Sequence, residues 1–249
     1  MAKGAWLMSE HDVRVEPSPK RVRAFLGGLP VFDTTHARLV WEVPYYPQYY
    51  VPGSDVQAEL VSTGRTKTSR SRGVGRLHTV RVGGAEAVEA ATTYDESPVE
   101  ALRGLVRFKF EELDAWFEED EQIYTHPRSP YTRVDILPTS RHVVVEAGGV
   151  RIAESTRASV LFETGLPPRY YLPQPDVRLD LLQPSDHVTH CPYKGRAVHW
   201  SVNAGTEVLA EAAWSYPAPL PESTRIAGLV SFYPSKVDVI VDGVVLPAR

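Results

Sequence analysis

"GGLPVFDTTHARLVWEVPYYPQYYVPGSDV", Gly27 to Val56, and "GGVRIAESTRASVLFETGLPPRYYLPQPDV", Gly148 to Val177, decide the fold between them. They align without a gap at an offset of 148 − 27 = 121. Thr35 meets Thr156, Glu42 meets Glu163, and Tyr49-Tyr50 meet Tyr170-Tyr171. Pro52 meets Pro173, and Asp55-Val56 meet Asp176-Val177. The match resumes downstream with small gaps. "AATTY" at 90–94 overlays "AAWSY" at 212–216, and "GLVRFKFEELDAWFEED" from Gly104 overlays "GLVSFYPSKVDVIVDG" from Gly228. A repeat this long means one structural unit made twice. The chain therefore reads as an extension (1–19), a first, diverged copy (20–122), a linker (123–140) rich in Pro, Ser and Thr, and a second copy (141–249).

Each copy reads as mostly strand. "RVRAFLGGLPVFD" and "HVVVEAGGVRIAES" are pairs of short runs flanking Gly-Gly, the signature of a tight hairpin. "ASVLFET", "AVHWSVN" and "TEVLAEAAW" carry β-branched and aromatic residues at strand lengths. One helix is expected at "SPVEALRGLVRFKFEEL", where Ser97 can cap, Pro98 suits the first turn, and Leu102, Leu105, Val106 and Leu113 share a face. "IAGLVSFY" is its shorter counterpart in the second copy. The expected class is mainly β with short helices, α+β at most, as two tandem modules of antiparallel strands. Units of roughly 100 residues bury proportionally little surface, so the copies are expected to pack on each other, and a homo-oligomer fits as well.

Composition narrows the function classes. The hydrophobic share is 43% and the net charge −4, with no global pull toward nucleic acid or an anionic membrane. No stretch has the roughly 18 apolar residues of a membrane helix, and "MAKGAWLMSEHDVRVEPSPKR" has no run suited to a signal peptide. The single cysteine excludes an intrachain disulfide and a paired-cysteine zinc site. A cytoplasmic protein without cofactor is the reading.

The chemistry-bearing run is "ETGLPPRYYLPQPDVRLDLLQPSDHVTHCPYKGRAVHWSV" in the second copy. In an enzyme, Cys191 would be the nucleophile, Lys194 or His190 would tune it, and Asp180 would orient the partner. In a binding module, Tyr171, Tyr193, Trp200 and Trp214 would hold a ligand near Glu163, and Lys194 would pair with its anionic group. Tyr170, Tyr216 and Tyr233 extend the aromatic set, although neighbouring Tyr170 and Tyr171 must face opposite sides of a strand. Each residue also has a plain structural reading. A lone cysteine is commonly a small buried hydrophobe, and Asp176 suits a turn cap. His187, His190 and His199 lack a regular metal-ligand spacing.

The copies differ where these residues stand. "TSRSRG" (68–73) overlays "HCPYKG" (190–195), so Arg72 meets Lys194, Gly73 meets Gly195 and Ser69 meets Cys191, while Thr92 replaces Trp214. Arg72 is therefore the first copy's candidate ligand-binding cation. Around it Arg65, Lys67, Arg70, Arg76 and Arg81 form a basic segment free of acids between Glu59 and Glu86. It reads as a solvated loop, an anion site, a surface docking against acids of the other copy, or a weak nucleic-acid contact, and the acidic "FEELDAWFEEDEQ" is a candidate partner within the fold or a dimer. Without interleaved aromatics it argues against nucleic acid. A duplicated interaction module is the third reading beside pocket and enzyme.

"FETGLPPRYYLPQPDVRLDLLQPSDHVTHCPYKG", followed by "HWSV", "EAAWSY", "PLPE" and "IAGLVSFYPSKVD", closely resembles the bacterial domain-of-unknown-function 427 family. The resemblance is nearly complete in the second copy and altered in the first. It implies a β-tent-like fold around a small pocket and no established activity. Its pattern positions here are Glu163, Tyr171, Asp180, His190, Cys191, Tyr193, Lys194, Trp200 and Trp214. The family also carries a nucleotidyltransferase-like label, but this chain has no glycine-rich phosphate loop and no clear metal-binding carboxylate pair.

Overall fold

Both Gly-Gly pairs are hairpin turns. Gly27 and Gly28 have φ of 59° and 77°, and Gly148 and Gly149 have 55° and 77°. Two successive positive φ values make a turn whose twist matches the flanking strands, and glycine adopts them without steric cost. A side chain at Gly27 would also collide with Ala85, whose Cβ lies 2.6 Å from the position a Cβ would take.

The structure is a computed structural model that describes residues 13–205 and 207–248. The chain divides at Ser129/Pro130 into two units. In the first, β1 (Arg14–Pro17), β2 (Val22–Leu26), β3 (Leu29–Thr34), β4 (Arg38–Val43), β5 (Tyr46–Pro52) and β6 (Glu59–Ser69) are followed by β7 (Gly73–Val82), β8 (Ala85–Thr93), β9 (Leu105–Phe108), β10 (Ala115–Glu118) and β11 (Glu121–Ile123). In the second, β12 (Val134–Pro138), β13 (Val143–Ala147), β14 (Val150–Ser155), β15 (Ser159–Glu163), β16 (Arg169–Tyr171) and β17 (Leu182–Cys191) are followed by β18 (Gly195–Asn203), β19 (Val208–Ser215), β20 (Val230–Phe232), β21 (Asp238–Val241) and β22 (Val244–Val245). The protein is mainly β, its strands pair antiparallel, and only short 3-10 turns interrupt them among the described residues.

The two units repeat one topology. The large sheet of the first runs β1-β4-β5-β9-β8-β7-β6. The second runs β12-β15-β16 and β20-β19-β18-β17, joined edge to edge by the Leu172–Val230 bridge. That is the same order, strand for strand. Each unit adds a four-stranded sheet, β11-β10-β2-β3 in one and β14-β13-β21-β22 in the other. Even the irregularities recur. Glu89 and Glu211 hold φ of 54° and 52° at matching bulges. Asp55 accepts a hydrogen bond from the Thr34 hydroxyl at 2.5 Å, and Asp176 accepts one from Ser155 at 2.7 Å. These two aspartates tie the end of the third strand to the crossover that follows.

Strand alternation divides the second unit's apolar residues. Tyr170 and Leu172 join Val145, Ile152, Val202, Val230 and Phe232 in one core. Tyr171, between them in sequence, joins Ile136, Leu161, Ala197, Trp214, Tyr216 and Ile226 on the other face. The tyrosine pair thus serves both faces, as a period of two requires.

Five expectations change. The helix at 97–113 is absent. The Ser97 hydroxyl accepts from the Val99 N–H at 3.1 Å ahead of a 3-10 turn at Glu100–Leu102, Gly104 turns at φ 77°, and β9 follows. β9 lies between β5 and β8, so sheet pairing on both edges overrides its helical spacing. "IAGLVSFY" becomes β20 for the same reason. Part of the expected extension is strand β1, paired with β4, while residues 1–12 lie outside those described. The stretch read as linker holds β12, paired with β15, so the connection narrows to the segment between Ile123 and Val134. Finally, the basic segment pairs with nearby acids rather than the acidic run: Arg65 with Glu89, Arg76 with Glu96, Arg81 with Glu86. Acids of that run instead meet Lys20 and Arg23.

Candidate functional site

The site grows from two elements of the second unit. Strand β15 ends at Glu163, and the β17–β18 hairpin turns through Pro192, Tyr193 and Lys194. Gly195 closes that turn at φ 93°, with Leu220 packed 3.4 Å from where a Cβ would stand. This geometry aims Lys194 inward to form an ion pair with Glu163, their side chains 11% and 9% exposed. Charges this sheltered persist only when paired.

Beside the pair is a cavity of about 150 Å³ that opens to solvent. Tyr171, Trp214, Tyr216 and Tyr233 supply its aromatic wall. Leu161, Leu166, Pro167 and Thr189 complete one side, and Arg169 adds a second cation. The indole N–H of Trp214 donates to Tyr171 Oη at 3.3 Å, with the rings edge to face at 6.1 Å. Trp214 also lies 4.2 Å from the Tyr233 ring, centroid to centroid. Burial raises the pKa of Tyr171, Tyr216 and Tyr233 above the ordinary tyrosine value. These phenols stay neutral at physiological pH and act as hydrogen-bonding walls rather than bases.

Of the candidate residues, Glu163, Tyr171, Lys194 and Trp214 line the cavity, with Tyr216 and Tyr233 of the wider aromatic set. The other candidates do not line the cavity. Cys191 is half-buried against the cluster of Tyr171, Trp214 and Tyr216. His190 is exposed, facing away from Cys191 as strand alternation demands. Asp180 lies in an exposed 3-10 turn and pairs with Arg178 at 2.6 Å. Tyr193 is in the hairpin turn, where its carbonyl accepts from Ser223 at 3.1 Å. Trp200 packs against the opposite core, because its neighbour His199, not Trp200, stands opposite Trp214. Arg72 occupies the Lys194 position of the first unit and pairs with Glu42. Arg169, Thr189 and Ser231 were not singled out by type, yet Arg169 and Thr189 share strand faces with Tyr171 and Cys191.

Near the wall His199 is buried, 2% exposed, with Nδ1 3.1 Å from the His187 carbonyl and Nε2 3.5 Å from Tyr233 Oη. Burial lowers its pKa. Among the described residues no cluster of His, Cys, Asp and Glu is placed to hold a metal, and no helix is long and apolar enough to cross a membrane.

A family model described as "Domain of unknown function (DUF427)" matches residues 14–119 and again 135–243. The chain belongs to this family. It is a tandem member, and each match covers one structural unit. No curated protein matches the chain. For a DUF427 protein, then, the site must be read from its own geometry.

Two outcomes follow. Lys194→Met leaves Glu163 buried without its cation and lowers the second unit's stability by about 3 kcal/mol or more, while Glu163→Leu/Lys194→Met recovers most of that loss. Urea unfolding of the four-member cycle checks it, and additive losses contradict it. His199 has a folded pKa below its unfolded value. Its contribution is thus complete above about pH 6.5 and is lost as pH falls through the folded value. Between pH 7.5 and 5.0 the urea midpoint should fall, and His199→Leu, which borrows Leu77 of the first unit, should flatten that fall. An unchanged slope contradicts the assignment.

Proposed function

We propose that the second unit binds a small planar molecule with an anionic end. One observation carries the reading: four aromatic side chains and two cations converge on a single cavity beside one carboxylate. A space of about 150 Å³ suits a benzene-sized body. Apolar concavities with a few placed polar groups are the usual form of small-ligand sites.

The charge balance supports the anionic end. Lys194 is held by Glu163, so that pair is nearly neutral to a ligand. The lining holds two cations, Lys194 and Arg169, to one carboxylate, and a guanidinium matches a carboxylate in two-point geometry. Cys191 packs against the Tyr171, Trp214 and Tyr216 cluster but is not among the residues lining the cavity, which favours binding over covalent chemistry.

Benzoate, benzyl alcohol and benzylamine test this by isothermal titration calorimetry. Benzoate should bind once per chain with a Kd on the order of 0.1–1 mM, the range open to so few atoms. The alcohol and amine should bind at least about fivefold more weakly, the worth of roughly one charge-assisted hydrogen bond. Arg169→Gln, which borrows Gln48 of the first unit, should weaken benzoate about tenfold. The proposal fails if no probe binds, or if benzoate binds equally well to Arg169→Gln and Trp214→Thr.

A further inference from the structure

The two units fill one place in the sheet differently. In the first, Thr92, Arg107 and Tyr50 stand in a row across β8, β9 and β5. In the second, Trp214 pairs with Ser231, and the Leu172–Val230 bridge sets Tyr171 on the far side of Ser231. The row is thus small–large–tyrosine in one unit and large–small–tyrosine in the other. Trp214 reaches across Ser231 to the Tyr171 hydroxyl. Arg107 rises from the middle position and donates through Nε to Glu42 Oε1 at 3.0 Å.

The surroundings match this exchange. Glu42 accepts from three groups: Arg107, Arg72, and the Tyr50 hydroxyl at 2.6 Å. Arg72 also spans to Tyr50 Oη at 3.1 Å and lies 5.2 Å from the Tyr94 ring centroid. Polar groups thus converge where the second unit has its aromatic wall. In the second unit the Ser231 hydroxyl, in a residue 1% exposed, has no hydrogen-bond partner among the described residues. A buried hydroxyl left unsatisfied carries a cost. It marks the spot where the first unit has a satisfied guanidinium.

We propose that Arg107 is a built-in occupant of the first unit's site, and that the pair Thr92/Arg107 against Trp214/Ser231 decides which unit accepts a ligand. The first unit is locked by its own side chain and the second is open, so the chain carries one binding site despite two copies of the fold. The ligand part of this inference rests on the binding function proposed above. The packing exchange does not.

Two readouts on one set of variants keep these separate. Trp214→Thr, Ser231→Arg and the double variant form a stability cycle read by urea unfolding. Trp214→Thr alone empties space and Ser231→Arg alone overfills it, so the double variant should be more stable than the sum of single effects predicts, by about tenfold or more in the unfolding equilibrium. Calorimetry with benzoate gives the second readout. Wild type should bind one equivalent, the double variant none, and the reverse graft Gln48→Arg/Thr92→Trp/Arg107→Ser two. Additive stability effects, or a folded double variant that binds benzoate like wild type, overturn the lock. If wild type binds no benzoate, the binding function falls, while the stability cycle still judges the exchange.

Discussion

A buried carboxylate paired with the cation at a hairpin tip is the interaction on which each unit depends. Glu163 ends β15 and Lys194 tips a hairpin 31 residues later; Glu42 and Arg72 repeat the arrangement. The outer strand of each hairpin is lightly packed, since β6 and β17 contain no buried residue. Each hairpin tip is tied to the sheet by this pair. The tie has one permissible state, because either charge alone would be stranded away from water. The inward-facing turn, the closing glycine and the orientation of the aromatic wall all follow from it.

What differs between the units is the chemistry of the cation. A guanidinium offers a fork of donors, and Arg72 uses it on Glu42, Tyr50 and Ser69 together. An ammonium is a point charge, and Lys194 meets Glu163. The Tyr171 hydroxyl is then available to Trp214, whose indole can lie over the small Ser231. Lysine for arginine at the hairpin tip, serine for arginine on β20 and tryptophan for threonine on β19 form one coupled change. It turns a hydrogen-bonded knot into an aromatic-walled space.

Much of this was legible in the sequence because a duplication supplies its own comparison. The 121-residue offset set Glu42 over Glu163 and, with one further residue inserted, Arg72 over Lys194. It also exposed Thr92 against Trp214. Four things were hidden. The helical spacing of 97–113 spans two 3-10 turns around a central strand, β9, whose pairing partners are distant in sequence. His190 and Trp200 each stand one residue from an inward-facing neighbour, and strand parity cannot be counted until bulges such as those at Glu211 are known. Asp180 carries a suggestive side chain but belongs to an exposed turn with its own arginine. Ser231 drew no notice because a serine in a strand is unremarkable by type. Aligned against Arg107 it becomes informative.

The central claim is that the second unit's aromatic wall, and not its counterpart, receives a small molecule. Nitrogen-15 labelling makes each indole N–H an independent reporter, with Trp214 in the wall and Trp41 and Trp116 buried in the first unit. The account predicts that titration with benzoate shifts the Trp214 indole resonance along a saturable curve and leaves those of Trp41 and Trp116 in place. A Trp214 resonance that stays fixed while either first-unit indole moves would contradict it.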